Sequence, residues 1–166
     1  MAFICAIFLT LTTVVPANAA YYSGGMSSQK FCVRNPDAAS NWINPINAGR
    51  NAWNNHSSFP GSITVSSSCS NKILVSAYGD DWLGLYSRNL LGVSTIKLDS
   101  TNISNHVYLK QYVFANVVRS TTAHEFGHAL RLDHTTSSTN LMSHSRNRNV
   151  VISPTTAEVI ESNGYC

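Results

Sequence analysis

Residues 124 to 134 read His-Glu-Phe-Gly-His-Ala-Leu-Arg-Leu-Asp-His. Neutral imidazole is the commonest metal-ligating side chain, and residues four apart on a helix share one face, about 5–6 Å apart at Cβ. His124 and His128 can therefore aim ring nitrogens at a single ion. A catalytic zinc takes three protein ligands and keeps a fourth position open, and His134 supplies the third ligand if the helix stops near Leu130 and the chain turns back. Glu125, next to His124, lies off the ligand axis but reaches a water at the open position, so its role is general base rather than ligand. In a chain of this composition His-Glu-x-x-His arises by chance with odds of roughly 0.004, and adding His134 lowers them further. The expected cofactor is Zn2+.

Such a site needs a helix beneath it and a scaffold around it. Val117, Val118, Thr121, Phe126 and Leu130 recur at helical spacing, with Asn116 placed as the N-cap. A first helix is expected over Asn44 to Asn55, with Ile46 and Trp53 seven apart on one face. Four β-branched and aromatic runs predict strands at Ser62 to Ser66, Lys72 to Tyr78, Trp82 to Tyr86 and Ser94 to Asp99. A last helix is expected with Ser153 as cap, Pro154 at the first helical position and Gly164 past the end. Strands followed by helices indicate an α+β fold.

The wording His-Glu-Phe-Gly-His-Ala-Leu from His124 to Leu130, closed by His134, resembles the metzincin zinc metallopeptidases, and the matrixin branch in particular. Members carry a tight turn with a methionine shortly downstream, and Ser138-Thr139-Asn140-Leu141-Met142 stands where that turn belongs, with Met142 as an apolar floor under the imidazoles. The specific letters cover about twenty residues, while the order of elements is similar over most of the chain. The resemblance implies a zincin: a mixed twisted sheet packed on a zinc-binding active-site helix, followed by a C-terminal helix. It implies an endopeptidase in which zinc is bound by His124, His128 and His134, and Glu125 acts on a metal-activated water. The Trp82 to Tyr86 strand would then be the edge that pairs with an extended protein or peptide substrate.

Two positions depart from that family. Three residues after the second histidine, where Gly is usual because the backbone turns left-handed, stands Arg131. A left-handed non-glycine residue costs roughly 1–2 kcal/mol, so Arg131→Gly is expected to raise thermal stability. Two residues after Met142, where Pro or Tyr is usual, stands His144, read as a surface imidazole. The rival to an active peptidase is a secreted zinc-binding domain that has lost turnover and serves as a binding module.

The rest of the composition bounds the answer. The 166 residues carry 11 Lys and Arg against 8 Asp and Glu, a net charge of +3, with 11% charged and 43% hydrophobic residues. That is one domain, with no electrostatic footprint for nucleic acid and no compositional bias towards disorder. Residues 1–20 carry no acidic or basic side chain and end in Pro16-Ala17-Asn18-Ala19-Ala20, the pattern of a signal peptide. Cleavage after Ala19 or Ala20 would leave residues 21–166 as a metallopeptidase catalytic domain, secreted, extracellular, monomeric and without a membrane anchor. Cys5 would leave with the signal; Cys32, Cys69 and Cys166 allow one disulfide in three pairings. Asp80 and Asp81 mark the place for Ca2+, although two carboxylates in a turn fall short of the six or more oxygens calcium takes. His56 and His106 have no partner at ligand spacing and read as surface residues, and the patterns at Asn55 and Asn102 fit glycosylation sites only weakly.

Overall fold

The helix that carries the histidine pair runs from Phe114 to Ala129 in a computed structural model that describes residues 22–145 and 147–164. The chain order is β1 (Lys30–Val33), α1 (Ser40–Asn54), β2 (Ser62–Val65), β3 (Lys72–Ser76), β4 (Gly84–Arg88), β5 (Ser94–Asp99), α2 (Ser100–Lys110), α3 (Phe114–Ala129) and α4 (Thr156–Ser162). The expected signal segment, Arg146 and Cys166 lie outside the described residues.

β1 pairs in parallel with β2, β3 in parallel with β5, and β4 antiparallel with β5. Arg34 joins the two groups: its N–H donates to the Asn71 carbonyl at 2.8 Å, its own carbonyl accepts from Ile73 at 3.0 Å, and it bridges in parallel to Lys72. The result is a mixed sheet in the order β2-β1-β3-β5-β4, with β4 at an edge. Cys32 on β1 is bonded to Cys69 just before β3, which selects one of the three pairings the composition left open.

α1 lies against α3. A Cβ on Gly49 would come within 2.7 Å of the Arg119 carbonyl, so the helices cross where only glycine fits, and the buried Trp53 indole donates to the Ala123 carbonyl at 2.8 Å. Ile46, Trp53, Ile63, Ile73, Leu98 and Phe126 fill the core between these helices and the sheet.

Several expected boundaries move. α1 begins at Ser40 and runs through Pro45, because Pro45 is buried and Trp42 packs edge-on against Phe114 at 4.9 Å, so packing outweighs the missing N–H. α3 begins at Phe114 rather than after Asn116; Asn149 accepts from the Val113 N–H at the entry. The Trp82 to Tyr86 strand is shifted to Gly84–Arg88, since the Trp82 and Asp80 carbonyls are taken by the Asn102 side-chain amide. That use of Asn102 also argues against a glycan there. α4 is capped by Thr155 in a capping box with Glu158, while the Ser153 hydroxyl accepts from Arg119. β1 and α2 were not expected: β1 spans four residues, and α2 buries Ile103 alone, too little for a periodic signal. Among the described residues no helix is long and apolar enough to cross a membrane.

Candidate metal centre and cleft

α3 stops where the spacing requires. Ala129 is its last residue, Leu130 caps it, and Arg131 takes φ 69°, the left-handed conformation expected of this position. The reversal returns His134 to the helix face. The Nε2 atoms of His124 and His134 are 3.1 Å apart, and those of His128 and His134 are 3.2 Å apart. Two nitrogens bound to one zinc in tetrahedral geometry are separated by about 3.3 Å, so both separations from His134 suit a shared ion, and all three donor atoms lie within 4.8 Å of one another.

The outer nitrogens settle the tautomers. His124 Nδ1–H donates to the Leu141 carbonyl and His128 Nδ1–H to the Leu132 carbonyl, each at 2.8 Å. Both Nε2 lone pairs then face inward, as in the usual outer shell of a histidine-bound metal. Burial lowers the pKa of all three imidazoles, that of His128 to about 4; Arg148 lowers His124 further, and His144 lowers His134 further. They are neutral at pH 7, the form that binds metal. The donor set fits zinc. Among the described residues it is also the one group of three or more His, Cys, Asp and Glu side chains converging on a point, so Asp80 and Asp81 do not form a comparable calcium site.

Met142 is fully buried against α3 at Gly127, with its carbonyl accepting from Thr135 at 2.9 Å. A Cβ on Gly127 would overlap the Met142 sulfur, which explains glycine inside the motif helix. The methionine turn is held from below: Met142 N–H donates to Glu158 Oε1 at 2.7 Å, and Glu158 Oε2 accepts from Thr155.

Glu125 points into a cleft of about 450 Å³ between α3 and β4. A Cβ on Gly84 would fall 2.7 Å from Glu125 Oε1 and 2.6 Å from Thr121 Cγ2, so glycine lets the strand approach the helix. Burial raises the Glu125 carboxyl to about 7, even though Arg148 and the Tyr86 backbone N–H both favour the ionised form. Its pKa therefore lies near neutral pH, where a general base works best.

Four contributors to this cleft were not read as such from the sequence. Tyr22 packs on the His128 ring in a tilted arrangement at 5.1 Å between centroids, held by backbone bonds from Tyr22 and Met26 to the end of α3 and the residue after its cap. His144, although exposed, packs on His134 at 4.2 Å and lines the cleft rather than facing solvent alone. Arg148 is buried in the cleft wall, and the Tyr86 N–H donates to the Glu125 carboxyl. None has a local motif; a lone Tyr, His or Arg gains a role only from what folds against it.

No family model matches the chain, and no curated protein matches it. Solved structures do. The ECX AB5 holotoxin in its GM1-bound form aligns with TM-score 0.58 at 14% identity over 87% of this chain and 86% of that one. Archaemetzincin from Archaeoglobus fulgidus aligns at 0.51 and 14% over 80% and 99%, and archaemetzincin from Methanopyrus kandleri at 0.51 and 12% over 84% and 96%. At these identities the likeness is one of fold: this chain has a mixed α+β architecture similar to that of the archaemetzincins.

Proposed function

We propose that this chain is a secreted zinc-dependent endopeptidase of the metzincin type, acting on proteins or peptides in extended conformation. The observation that carries the reading is the convergence of three inward-facing Nε2 atoms beside a buried carboxyl at an exposed sheet edge. His124, His128 and His134 would hold the metal. The matrixin-like wording of residues 124–130 supports that branch through sequence, and the signal-like residues 1–20 support secretion in the same way.

Bound zinc supplies Lewis-acid polarisation of a carbonyl and a lowered pKa for water. The residues of the chain do the rest. The outer edge of β4, which pairs with β5 on its other side, offers backbone groups along which an extended peptide can align. Glu125 accepts the proton of the attacking water and returns it to the leaving amine, with the Tyr86 N–H orienting the carboxylate between the two transfers.

The experiment is metal analysis of the purified protein together with casein cleavage in the presence and absence of 1,10-phenanthroline. The expected result is one zinc per chain and chelator-sensitive cleavage. Glu125→Gln should keep the zinc and lose about 10²–10⁴-fold in rate. Full activity in that variant would overturn the mechanism, and zinc without cleavage in the wild type would favour the binding module.

A further inference from the structure

We propose that the tip of the β4–β5 hairpin, Leu90 and Leu91, together with the cations at its base, is a docking point for an anionic lipid surface. The inference goes beyond the peptidase reading, and its test needs no catalysis, so the two stand or fall separately.

Leu90 is 106% exposed and Leu91 89%, so neither side chain packs on the rest of the chain. A single exposed leucine is ordinary; two in succession at the end of a hairpin make an apolar tip. The tip is held in shape. Asn89 Oδ1 accepts from the Leu91 and Val93 N–H groups at 3.0 and 2.9 Å, and the Asn89 N–H donates to the Val93 carbonyl at 3.0 Å. Gly92 takes φ 80°, a conformation that glycine adopts without strain. Arg88 ties the hairpin down, its Nε donating to the Gly92 carbonyl at 3.1 Å and its Nη1 to the Gly25 carbonyl at 2.8 Å. These bonds fix the turn and leave both leucines in water.

The strand register sets cations behind that tip. Arg88 opposes Ser94 where the hairpin begins, Lys72 on β3 opposes Thr95 one residue further back, and Arg34 bridges to Lys72. With strands about 4.8 Å apart, the backbones of all three stand within about 15 Å along one end of the sheet. Arg34 and Arg88 are exposed, and the Arg88 partners named above are neutral carbonyls, which leave its charge in place. Asp80 and Asp81, after β3, and Asp99, closing β5, lie at the opposite end of the sheet. Asp37, three residues past Arg34, is the acid nearest to this row along the chain.

The shape of the tip selects its occupant. A stable protein partner buries about 800 Å² on each side, far more than two leucines offer, and a convex tip forms no groove. A bilayer needs no matching surface: it takes up apolar side chains while lipid phosphates meet the cations behind them. Leu85 on the cleft edge is five residues before Leu90, so docking would hold that edge within about 17 Å of the membrane.

The test is co-sedimentation of the purified protein with vesicles of phosphatidylcholine alone and of two parts phosphatidylcholine to one part phosphatidylglycerol. Binding to the anionic vesicles is expected, weakening as salt is raised. Leu90→Ser and Leu91→Ser should each lower the partition constant about tenfold. Arg34→Gln combined with Lys72→Gln should lower it about fivefold or more on the anionic vesicles. All proteins compared share residues 1–20, so any contribution of that segment cancels. The leucines pack on nothing, so their serine variants should melt at the wild-type temperature, and Leu91→Trp should gain a blue-shifted emission on anionic vesicles. No binding to anionic vesicles, equal binding by the Leu90→Ser/Leu91→Ser double variant, or equal binding to both compositions overturns the proposal. Slower casein cleavage by that double variant without any vesicle binding also overturns it and points to a protein partner at the tip.

Discussion

Single residues set how closely the parts of this site approach. Gly84 and Gly127 are neither turns nor caps; each removes a Cβ where Glu125 meets β4 and where Met142 meets α3. Gly84→Ala must push the strand off the helix and draw the Tyr86 N–H from Glu125. Displacements of about 1 Å can cost up to 10²-fold in rate, so a loss of at least about tenfold in kcat with zinc content unchanged is expected in a peptide assay. Arg131 shows the opposite lesson. Its left-handed backbone matches the sequence reading, but its Nε donates to the Met26 carbonyl at 2.9 Å and its own carbonyl accepts from Tyr22 at 2.8 Å. Glycine would relieve roughly 1–2 kcal/mol of strain and lose a charged hydrogen bond worth about 1.5–3 kcal/mol. The expected gain from Arg131→Gly therefore disappears: thermal denaturation should show a change near zero or a small loss, together with faster proteolysis around residues 22–26.

At the scale of elements, two carboxylates fasten helices to the machinery. Asp99 ends β5 and caps α2, accepting from the Asn102 and Tyr78 N–H groups at 2.8 Å each. Burial by itself pushes this carboxyl up, but the combined N–H donors of Asn102, Tyr78, Thr101 and Gly79 outweigh it and leave the pKa below the ordinary value. A carboxyl held low in the folded state stabilises above its unfolded pKa of about 3.9 and loses that contribution as pH falls through the folded pKa. Asp99→Ala should cost about 1–2 kcal/mol at pH 7, with the difference from wild type shrinking below about pH 4 in denaturant melts. Glu158 joins α4 to the methionine turn and is fully buried. Glu158→Ala breaks the capping box and strands the Met142 N–H, an expected loss of about 2–4 kcal/mol with weaker zinc retention under a competing chelator. α2 shows why such elements escaped the sequence reading. It exposes Tyr108 and Leu109 while burying Ile103, so its apolar residues mark no single face and its position follows from the Asp99 cap and the docking of α3.

Across the whole molecule, the Cys32–Cys69 bond closes a loop of 37 residues that contains α1 and β2 and ties β1 to the start of β3. Loop-closure entropy for that length amounts to about 3–4 kcal/mol, so reduction should lower the melting temperature by roughly 6–16 °C at about 2–4 °C per kcal/mol. Calorimetry with and without dithiothreitol, with zinc held constant, checks it. The three histidines and the acid beside them could be read from the letters because a helix has a fixed period: spacing four places two rings on one face whatever the surroundings. The left-handed turn at Arg131 and the methionine turn could be read only through resemblance. No local rule reached Tyr22, His144, Arg148 or the Tyr86 N–H, which come to the cleft from the N-terminal segment, the chain after the methionine turn and the edge of the sheet. The sequence alone determined the His124–His128 pair and its helix, because both depend on backbone periodicity within a few residues. Tertiary structure decided the disulfide partner, the element boundaries and the wall of the cleft, because those depend on contacts between residues far apart in the chain, whose energies have no counterpart in local spacing.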